Sequence, residues 1–156
     1  MAPSLQSELK KRGPFDSVEQ EAMLALMRTT DLLENRLARL LRSYGLTLTQ
    51  YNVLRILRGE GKPMPCLEVA ERMIQVAPAI TRVVDQLLKL KLITKTQSQS
   101  DRRVFEIELN SAAMKLLKKM DQPVLQLHAS LLADVKKADL RSMIRTLEQV
   151  RGSVTQ

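Results

Sequence analysis

The stretch 72–109 constrains the fold most, because within it the apolar residues change from helical to strand-like spacing. After a break at residues 75–77, Pro78 stands where proline is favoured, in the first turn of a helix. A helix over residues 66–74 precedes this one across a short turn, which predicts a helix-turn-helix. The second helix has an apolar face, and we expect its other residues to lie mostly outward: Ala79, Thr81, Arg82, Asp85, Gln86 and Lys89.

Two strand-like runs follow, residues 93–96 and 104–109, joined by the polar segment 97–102. The second run alternates, so we expect one set of side chains to face inward (Phe105, Ile107 and Leu109) and the other outward (Glu106 and Glu108). The joining segment is too polar to be core, and we interpret it as the tip of a β-hairpin. The hairpin would form a wing beside the helix-turn-helix.

A long helix is predicted to begin near the N-terminus, where Ser17 and Gln20 have the spacing of a capping box. Its apolar residues repeat every seven positions over more length than one small core can bury, and Gly45 is expected to stop it. Thr49 is expected to cap the next helix, which ends at residues 59–61. Residues 62–64 contain Pro63 and are followed by Pro65, so they can form at most a short edge strand.

The C-terminal part predicts two more helices. Asn110 is a cap for a helix that runs towards residue 133, and Pro123 should kink or split that helix. The last helix spans residues 139–150. The terminal helices carry more apolar surface than a winged helix needs, and the economical explanation is a dimer in which helices of two chains interleave.

The predicted fold class is therefore mainly α with a small β-hairpin wing: a winged helix-turn-helix embedded in an all-helical dimerisation region. Residues 1–16 form a flexible, basic arm, either a solvated terminus or a DNA-contacting segment. Residues 17–156 form a single domain, with dimerisation helices over 17–43 and 111–152 and the winged helix-turn-helix over 45–110.

The net charge of +8 and the pI near 9.9 favour an anionic partner, for which nucleic acid is the commonest choice in the cytoplasm. One Cys and one His exclude an intrachain disulfide and argue against a metal site or cofactor. The start is polar and no apolar run is long enough to span a membrane, so we expect a cytoplasmic protein. No nucleophile–base pair or carboxylate pair is visible, so we do not expect an enzyme.

Five segments have the order and spacing of a known family: GLTLTQYNVL at 45–54, VAER at 69–72, ITRVVDQL at 80–87, LI at 92–93 and DRR at 101–103. Together they resemble the multiple antibiotic resistance regulator (MarR) family of bacterial transcription factors, over about residues 18–150. The resemblance implies a homodimeric regulator, most often a repressor, that binds a pseudo-palindromic DNA operator. In many members a small phenolic or anionic ligand in a cleft between the dimerisation and winged-helix parts releases the DNA, and others sense oxidants through cysteine.

The same resemblance assigns roles to residues of the wing and of the second helix. Arg103 would enter the minor groove while Asp101 braces it, the alternative being an ordinary ion pair between the two. Thr81 would contact a base or phosphate, and Arg82 would bind guanine or phosphate. The predicted DNA-binding set is Thr81, Arg82, Gln86, Ser100, Asp101, Arg102 and Arg103.

Some positions depart from the family pattern or leave alternatives open. The helix start at 77–79 offers few hydrogen-bonding side chains, so DNA shape should supplement base contacts. The best candidates for the ligand cleft are Tyr44, Tyr51 and His128, each of which also has an ordinary structural interpretation. Cys66 follows a proline in a helical first turn, where a thiol pKa can fall, and is the candidate for a redox-responsive regulator. The remaining alternative is a winged helix that binds a protein partner and no DNA.

Overall fold

The computed structural model of the chain describes residues 3–75 and 79–155. The helices and strands in chain order are α1 (Leu5–Glu8), α2 (Val18–Arg42), α3 (Leu48–Glu60), β1 (Met64–Pro65), α4 (Cys66–Glu71), α5 (Ile80–Lys89), β2 (Ile93–Gln97), β3 (Phe105–Leu109), α6 (Ser111–Leu131) and α7 (Lys137–Val154). The predicted fold class, mainly α with a small wing, is confirmed. The chain divides after Met120 into two compact units. The single domain over residues 17–156 stays a prediction.

The N-terminal segment has local structure where a flexible arm is predicted. Ser4 caps the short helix α1, accepting a hydrogen bond from the backbone N–H of Ser7. Beyond this helix the Lys11 ammonium donates to the carbonyls of Gly13 (3.1 Å) and Pro14 (2.6 Å), and it lies 5.5 Å from the centroid of the Phe15 ring. Its basic side chain is therefore engaged within the segment itself.

Helix α2 begins at Ser17 as predicted, but only half of the capping box forms. The Ser17 hydroxyl accepts a hydrogen bond from the Gln20 N–H at 3.1 Å. The Gln20 side chain reaches back one residue further than expected, to the N–H of Asp16 at 2.9 Å. Helix α2 ends at Arg42, and Gly45 follows with a φ of +76°, a backbone conformation that favours glycine.

Helix α3 is capped by Thr47, so the prediction of Thr49 as the cap is wrong. The Thr47 hydroxyl accepts from the Gln50 N–H (3.2 Å), and the Gln50 side chain accepts from the Thr47 N–H (3.0 Å). This reciprocal pair satisfies two N–H groups that would otherwise lack a partner, whereas Thr49 lies within the first turn. The helix ends at Glu60, within the predicted 59–61, and Gly61 caps it with a φ of +71°, a left-handed conformation that favours glycine.

The first unit has its core between a three-stranded antiparallel sheet, ordered β1-β3-β2, and the helices α3, α4 and α5. Ile107 of β3 pairs with Met64 of β1 and with Lys95 of β2, and both Ile107 and Met64 are almost completely buried. The helices contribute further buried side chains: Val53, Leu54, Leu57, Val69, Val84 and Leu87. The β-hairpin predicted by the sequence is therefore present and anchored at its base.

Phe105 does not face the core as predicted, since its side chain is 46% exposed. It shares the inward face with Ile107, but it pairs with Gln97 in the last rung before the hairpin tip. The apolar layer supplied by the helices covers Ile107 and does not extend to this rung. Alternation predicts which face a strand residue occupies, but the extent of the opposing layer decides whether that face is buried.

The turn that follows helix α5 contains a lysine, Lys91, in a backbone conformation that favours glycine. Lys91 has a φ of +54°, and the N–H of Leu92 bonds to the carbonyl of Leu87 across the turn. A side chain in this region of backbone space costs about 1–2 kcal/mol, which glycine avoids.

We therefore expect Lys91→Gly to raise the free energy of unfolding by about 1 kcal/mol. Urea denaturation should show a higher midpoint with an unchanged slope. Lys89→Gly, two residues earlier and inside the helix, is the matched control and should lower the midpoint. A lower midpoint for Lys91→Gly would contradict the assignment of backbone strain.

Helix α6 begins as predicted, with the Asn110 side chain accepting from the Ala113 N–H at 3.0 Å. It continues through Pro123 to Leu131, so the proline does not split it. Helix α7, at Lys137–Val154, extends beyond the predicted 139–150 at both ends and has no buried residue. Exposed apolar side chains run along it: Met143, Ile144, Val150 and Val154.

None of the helices in the ranges 3–75 and 79–155 has the length and apolar character needed to cross a membrane. Within the same ranges, no group of three or more His, Cys, Asp or Glu side chains is placed to hold a metal ion.

Candidate nucleic-acid interface

Helices α4 and α5 form the predicted helix-turn-helix, and they are fastened to α3 by polar contacts. The Arg72 guanidinium at the end of α4 lies 2.7 Å from the Glu60 carboxylate at the end of α3. This hydrogen bond lowers the pKa of Glu60 and raises that of Arg72. Asn52 of α3 accepts from the N–H of Ile74 at 2.9 Å, which fixes the chain just before the turn.

The first turn of α5 presents the two residues that the sequence assigns to DNA contact. Thr81 and Arg82 are exposed, and the Arg82 N–H bonds to the carbonyl of Ala79 at 3.0 Å. The predicted start of this helix at Pro78, with the apolar tip at 77–78, lies outside the described residues. Because the side chains of Thr81 and Arg82 are exposed, both are accessible to a binding partner.

Gln86 is placed differently from the prediction that it lies outward. It is half-buried, and its side-chain oxygen accepts a hydrogen bond at 3.1 Å from the amide of Gln50. Gln50 is 7% exposed and also completes the cap of α3, so one side chain joins the start of α3 to the middle of α5. Gln86 therefore helps to hold α5 in position against α3 through this hydrogen bond.

The hairpin tip, residues 98–104, is closed by a set of local hydrogen bonds. The N–H of Ser98 bonds to the carbonyl of Val104 (2.8 Å), and the N–H of Val104 bonds to the carbonyl of Asp101 (2.9 Å). The Ser98 hydroxyl is 3.0 Å from that of Ser100 and is buried, with Ser98 only 6% exposed. These contacts between neighbouring residues give the tip a defined shape.

Asp101 braces Arg103 through the backbone. Its carboxylate accepts a hydrogen bond from the Arg103 N–H at 2.9 Å, which fixes the backbone that carries the guanidinium. Gln97 adds a second support by donating to the carbonyl of Arg102 at 2.5 Å. Arg102 and Arg103 are both exposed, so the tip projects two cations from a turn held by neutral and acidic groups.

The acidic residues of the wing lie on the face of the sheet opposite to Ile107, where Glu108 is exposed and Glu106 is half-buried. Glu106 pairs with Thr96 and Glu108 with Thr94, so both alternate with the buried Ile107. This placement agrees with the expectation that they point outward. The helix-facing side of the wing therefore carries no carboxylate from β3.

Lys95 is a candidate that sequence reasoning does not select. It lies opposite Ile107, on the helix-facing side of the sheet, and its ammonium is 4.8 Å from the centroid of the exposed Phe105 ring. The only sequence signal is a lysine and an aromatic residue on adjacent strands, which becomes informative once the register is known.

Cys66 does not have the environment of a reactive thiol. Burial raises the pKa of its thiol, outweighing the lowering by Lys95 and by a backbone hydrogen bond, and Asp85 raises it further. The start of α4 therefore does not produce the lowered pKa on which the redox hypothesis depends.

The three residues predicted for a ligand cleft have different environments. Tyr51 is 9% exposed, and its hydroxyl accepts a 3.4 Å hydrogen bond from Arg55, while Tyr44 is half-buried. His128 is exposed on the part of α6 that belongs to the second unit, and its grouping with the tyrosines stays a prediction. A depression of about 190 Å³ in the first unit is lined by other residues, among them Leu57, Leu109 and Met114.

Comparisons with known proteins agree with this arrangement. A model of the MarR family matches residues 46–105, from the start of the α3 cap to the wing. The HTH-type transcriptional regulator YpoP of Bacillus subtilis is 32% identical over 77 residues, which cover 49% of this chain. That match spans 54% of YpoP, about half its length.

Two solved structures extend the likeness to most of the chain. A crystallised MarR transcription factor from Planctomyces limnophilus is 37% identical with a TM-score of 0.67, covering 87% of this chain and 99% of that one. MepR of S. aureus, crystallised with DNA, is 17% identical with a TM-score of 0.74, covering 83% and 95% of the two chains, and shares the fold. From its near-complete coverage of the Planctomyces protein and its match to the family model, we conclude that the chain belongs to the MarR family of transcriptional regulators.

Proposed function

We propose that the protein is a sequence-specific DNA-binding repressor that binds a pseudo-palindromic operator as a homodimer. The observation that carries the proposal is the hairpin tip, where local hydrogen bonds display Arg102 and Arg103 beyond a helix-turn-helix that exposes Thr81 and Arg82. A helix fits the major groove, and an arginine gains most in a narrow minor groove of high negative potential. The relative MepR was crystallised with DNA, which supports the same class of partner for this chain.

The apolar surface of the terminal helices supports the homodimer. Helix α7 buries none of its residues although it spans Lys137–Val154 and carries a stripe of apolar side chains. Helix α2 has a comparable exposed set: Val18, Met23, Leu26, Met27, Leu32 and Leu33. Exposed apolar surface on a helix marks a protein interface, and in the proposed homodimer two copies of the chain cover it for each other.

A homodimer also explains how a short contact surface would achieve specificity. The two copies of α5 in a dimer can enter successive major grooves on one face of DNA only if they lie about 34–36 Å apart. The dimer therefore selects operators by the spacing of their half-sites as well as by base contacts. Repression follows when the occupied site overlaps the promoter.

The proposal is tested by fluorescence anisotropy titration with duplexes from the promoter next to the gene. We expect one duplex to bind more tightly than a scrambled duplex of equal length, by about a thousandfold or more at physiological salt. The logarithm of affinity should fall linearly with the logarithm of salt concentration, by about 0.9 for each neutralised phosphate.

Two results would contradict the proposed function. Equal affinity for the promoter and scrambled duplexes would exclude a sequence-specific regulator. Absence of binding to either duplex at low salt would favour the alternative, a winged helix that binds a protein partner.

A further inference from the structure

Lys95 and Phe105 form an exposed pair near the outer end of the wing. The ammonium of Lys95 lies 4.8 Å from the centroid of the Phe105 ring, within the distance at which a cation is attracted to an aromatic face. Phe105 is 46% exposed, so the helices do not cover the whole of its ring. Packing of the core does not account for its position.

The strand register places this pair on the side of the sheet that faces the helices. Residues paired across an antiparallel ladder share a face, so Lys95 lies on the face of its buried partner Ile107. Phe105, two residues from Ile107, lies on the same face, and β2 itself packs against α5. Lys95 therefore lies on the side of the wing that faces α5, the second helix of the helix-turn-helix and the predicted recognition helix.

The charges around Cys66 agree with this location. Lys95 lowers and Asp85 raises the pKa of the Cys66 thiol, so the lysine of β2 and the aspartate of α5 both lie within electrostatic reach of the start of α4. Asp85 of α5 is an acidic group within electrostatic reach of this region. It would repel a phosphate, so a cation is needed there if DNA is to lie against both elements.

We propose that Lys95 is a phosphate-binding residue for the DNA strand that passes between the recognition helix and the wing, and that Phe105 is its positioning residue. The inference rests on the proposed DNA binding. A helix in the major groove and a wing in the next minor groove lie on either side of the sugar–phosphate backbone that divides the two grooves. A cation located between the two protein elements faces that backbone and no base edge.

The aromatic ring contributes orientation. A lysine side chain is a compact charge on a flexible stem, and much of its rotamer freedom is lost when it binds a phosphate. The ring of Phe105 holds the ammonium in the required region before DNA arrives. Contacts of this kind set the register of a protein on the duplex and add affinity without reading sequence.

The experiment is an anisotropy titration, at several salt concentrations, of the promoter duplex that the wild type binds. In Lys95→Gln we expect the slope of log affinity against log salt to fall by about 1.8 for a dimer, from two lost phosphate contacts. At 100 mM salt, affinity should fall roughly tenfold or more. Lys115→Gln, which removes the same charge from an exposed lysine of α6, is the matched control and should change the slope little.

Phe105 is tested with two replacements of similar size. Phe105→Leu keeps apolar volume but removes the aromatic face, and we expect affinity to fall about threefold to tenfold. Phe105→Tyr keeps the face and should bind as the wild type does. In the free protein, NMR should show the ε-methylene protons of Lys95 shifted upfield by the ring in the wild type and the Tyr variant, and not in the Leu variant.

Several outcomes would overturn the inference. If Lys95→Gln changed the salt slope no more than Lys115→Gln, Lys95 would bind no phosphate. If Phe105→Leu and Phe105→Tyr bound DNA equally, the ring would have no positioning role. If the wild type bound no duplex, the proposed function and this inference would fail together, whereas DNA binding that depends on Arg103 but not on Lys95 would remove only the inference.

Discussion

Arg103→Ala is expected to weaken binding of the promoter duplex by about a hundredfold or more. An arginine contact in a groove contributes about 1–3 kcal/mol, and the homodimer would lose one such contact in each wing. The backbone of Arg103 is already held by the Asp101 carboxylate at 2.9 Å, so the substitution removes the guanidinium and leaves the turn intact. Anisotropy titration at fixed salt measures the effect, and circular dichroism establishes that the fold is unchanged.

Two variants make the interpretation of this result specific. Arg28→Ala removes a guanidinium from α2, where Arg28 pairs with Glu8 at 3.8 Å, and should leave the affinity nearly unchanged. Arg103→Lys keeps the charge but loses the planar group, and an intermediate affinity is expected. Wild-type affinity in Arg103→Ala would show that the wing does not enter the groove.

Ile144→Asp is expected to raise the dissociation constant of the homodimer by more than about a hundredfold. Ile144 is 53% exposed in the single chain and lies on the apolar stripe of α7. An interface that covers it would bury an unpaired carboxylate in each of the two copies, which costs several kcal/mol. Sedimentation or light scattering over a range of protein concentrations should show monomer where the wild type is dimer.

DNA binding should fall together with dimerisation, because one reading head makes only half of the contacts. Gln149→Asp is the matched control, since this exposed position on α7 lies away from the apolar stripe. It introduces the same charge and should leave the dimer intact. An unchanged dimer in Ile144→Asp would assign the interface to a different surface.

Local features of this fold could be predicted from sequence where the partner groups are close in the chain. The caps at Ser17 and Asn110 and the end of α3 at residues 59–61 need only neighbours within a few residues. Where two threonines compete at the start of α3, the cap is Thr47, because only this residue has Gln50 three positions later. The prediction of Thr49 overlooked that spacing.

Features that depend on distant partners could not be predicted in the same way. Gln86 has an outward position by helical spacing, yet it accepts a hydrogen bond from Gln50, which is 36 positions away in the chain. Phe105 has an inward position by alternation, yet the layer of helices ends before it. The contact between the Lys95 ammonium and the Phe105 ring likewise depends on the strand register, which the sequence alone does not define.

The candidate site shows the same division. The charges of the wing, at residues 101–103, are visible in the sequence and in its resemblance to the family. The way Asp101 acts is not visible in the sequence. A carboxylate two residues before an arginine can accept a hydrogen bond either from the guanidinium of that arginine or from the backbone N–H of that arginine. The structure has the backbone bond, and the Arg103 side chain is exposed.

The closed hairpin tip also affects the thermodynamics of binding. Its turn is formed by local hydrogen bonds of Ser98, Asp101 and Val104. A loop whose shape is fixed by its own hydrogen bonds loses little backbone entropy on association, whereas a disordered loop loses about 1–2 kcal/mol for each residue that it orders. The wing would therefore bind as a rigid body, and the entropy lost on binding would come mainly from the arginine side chains and from the two molecules themselves.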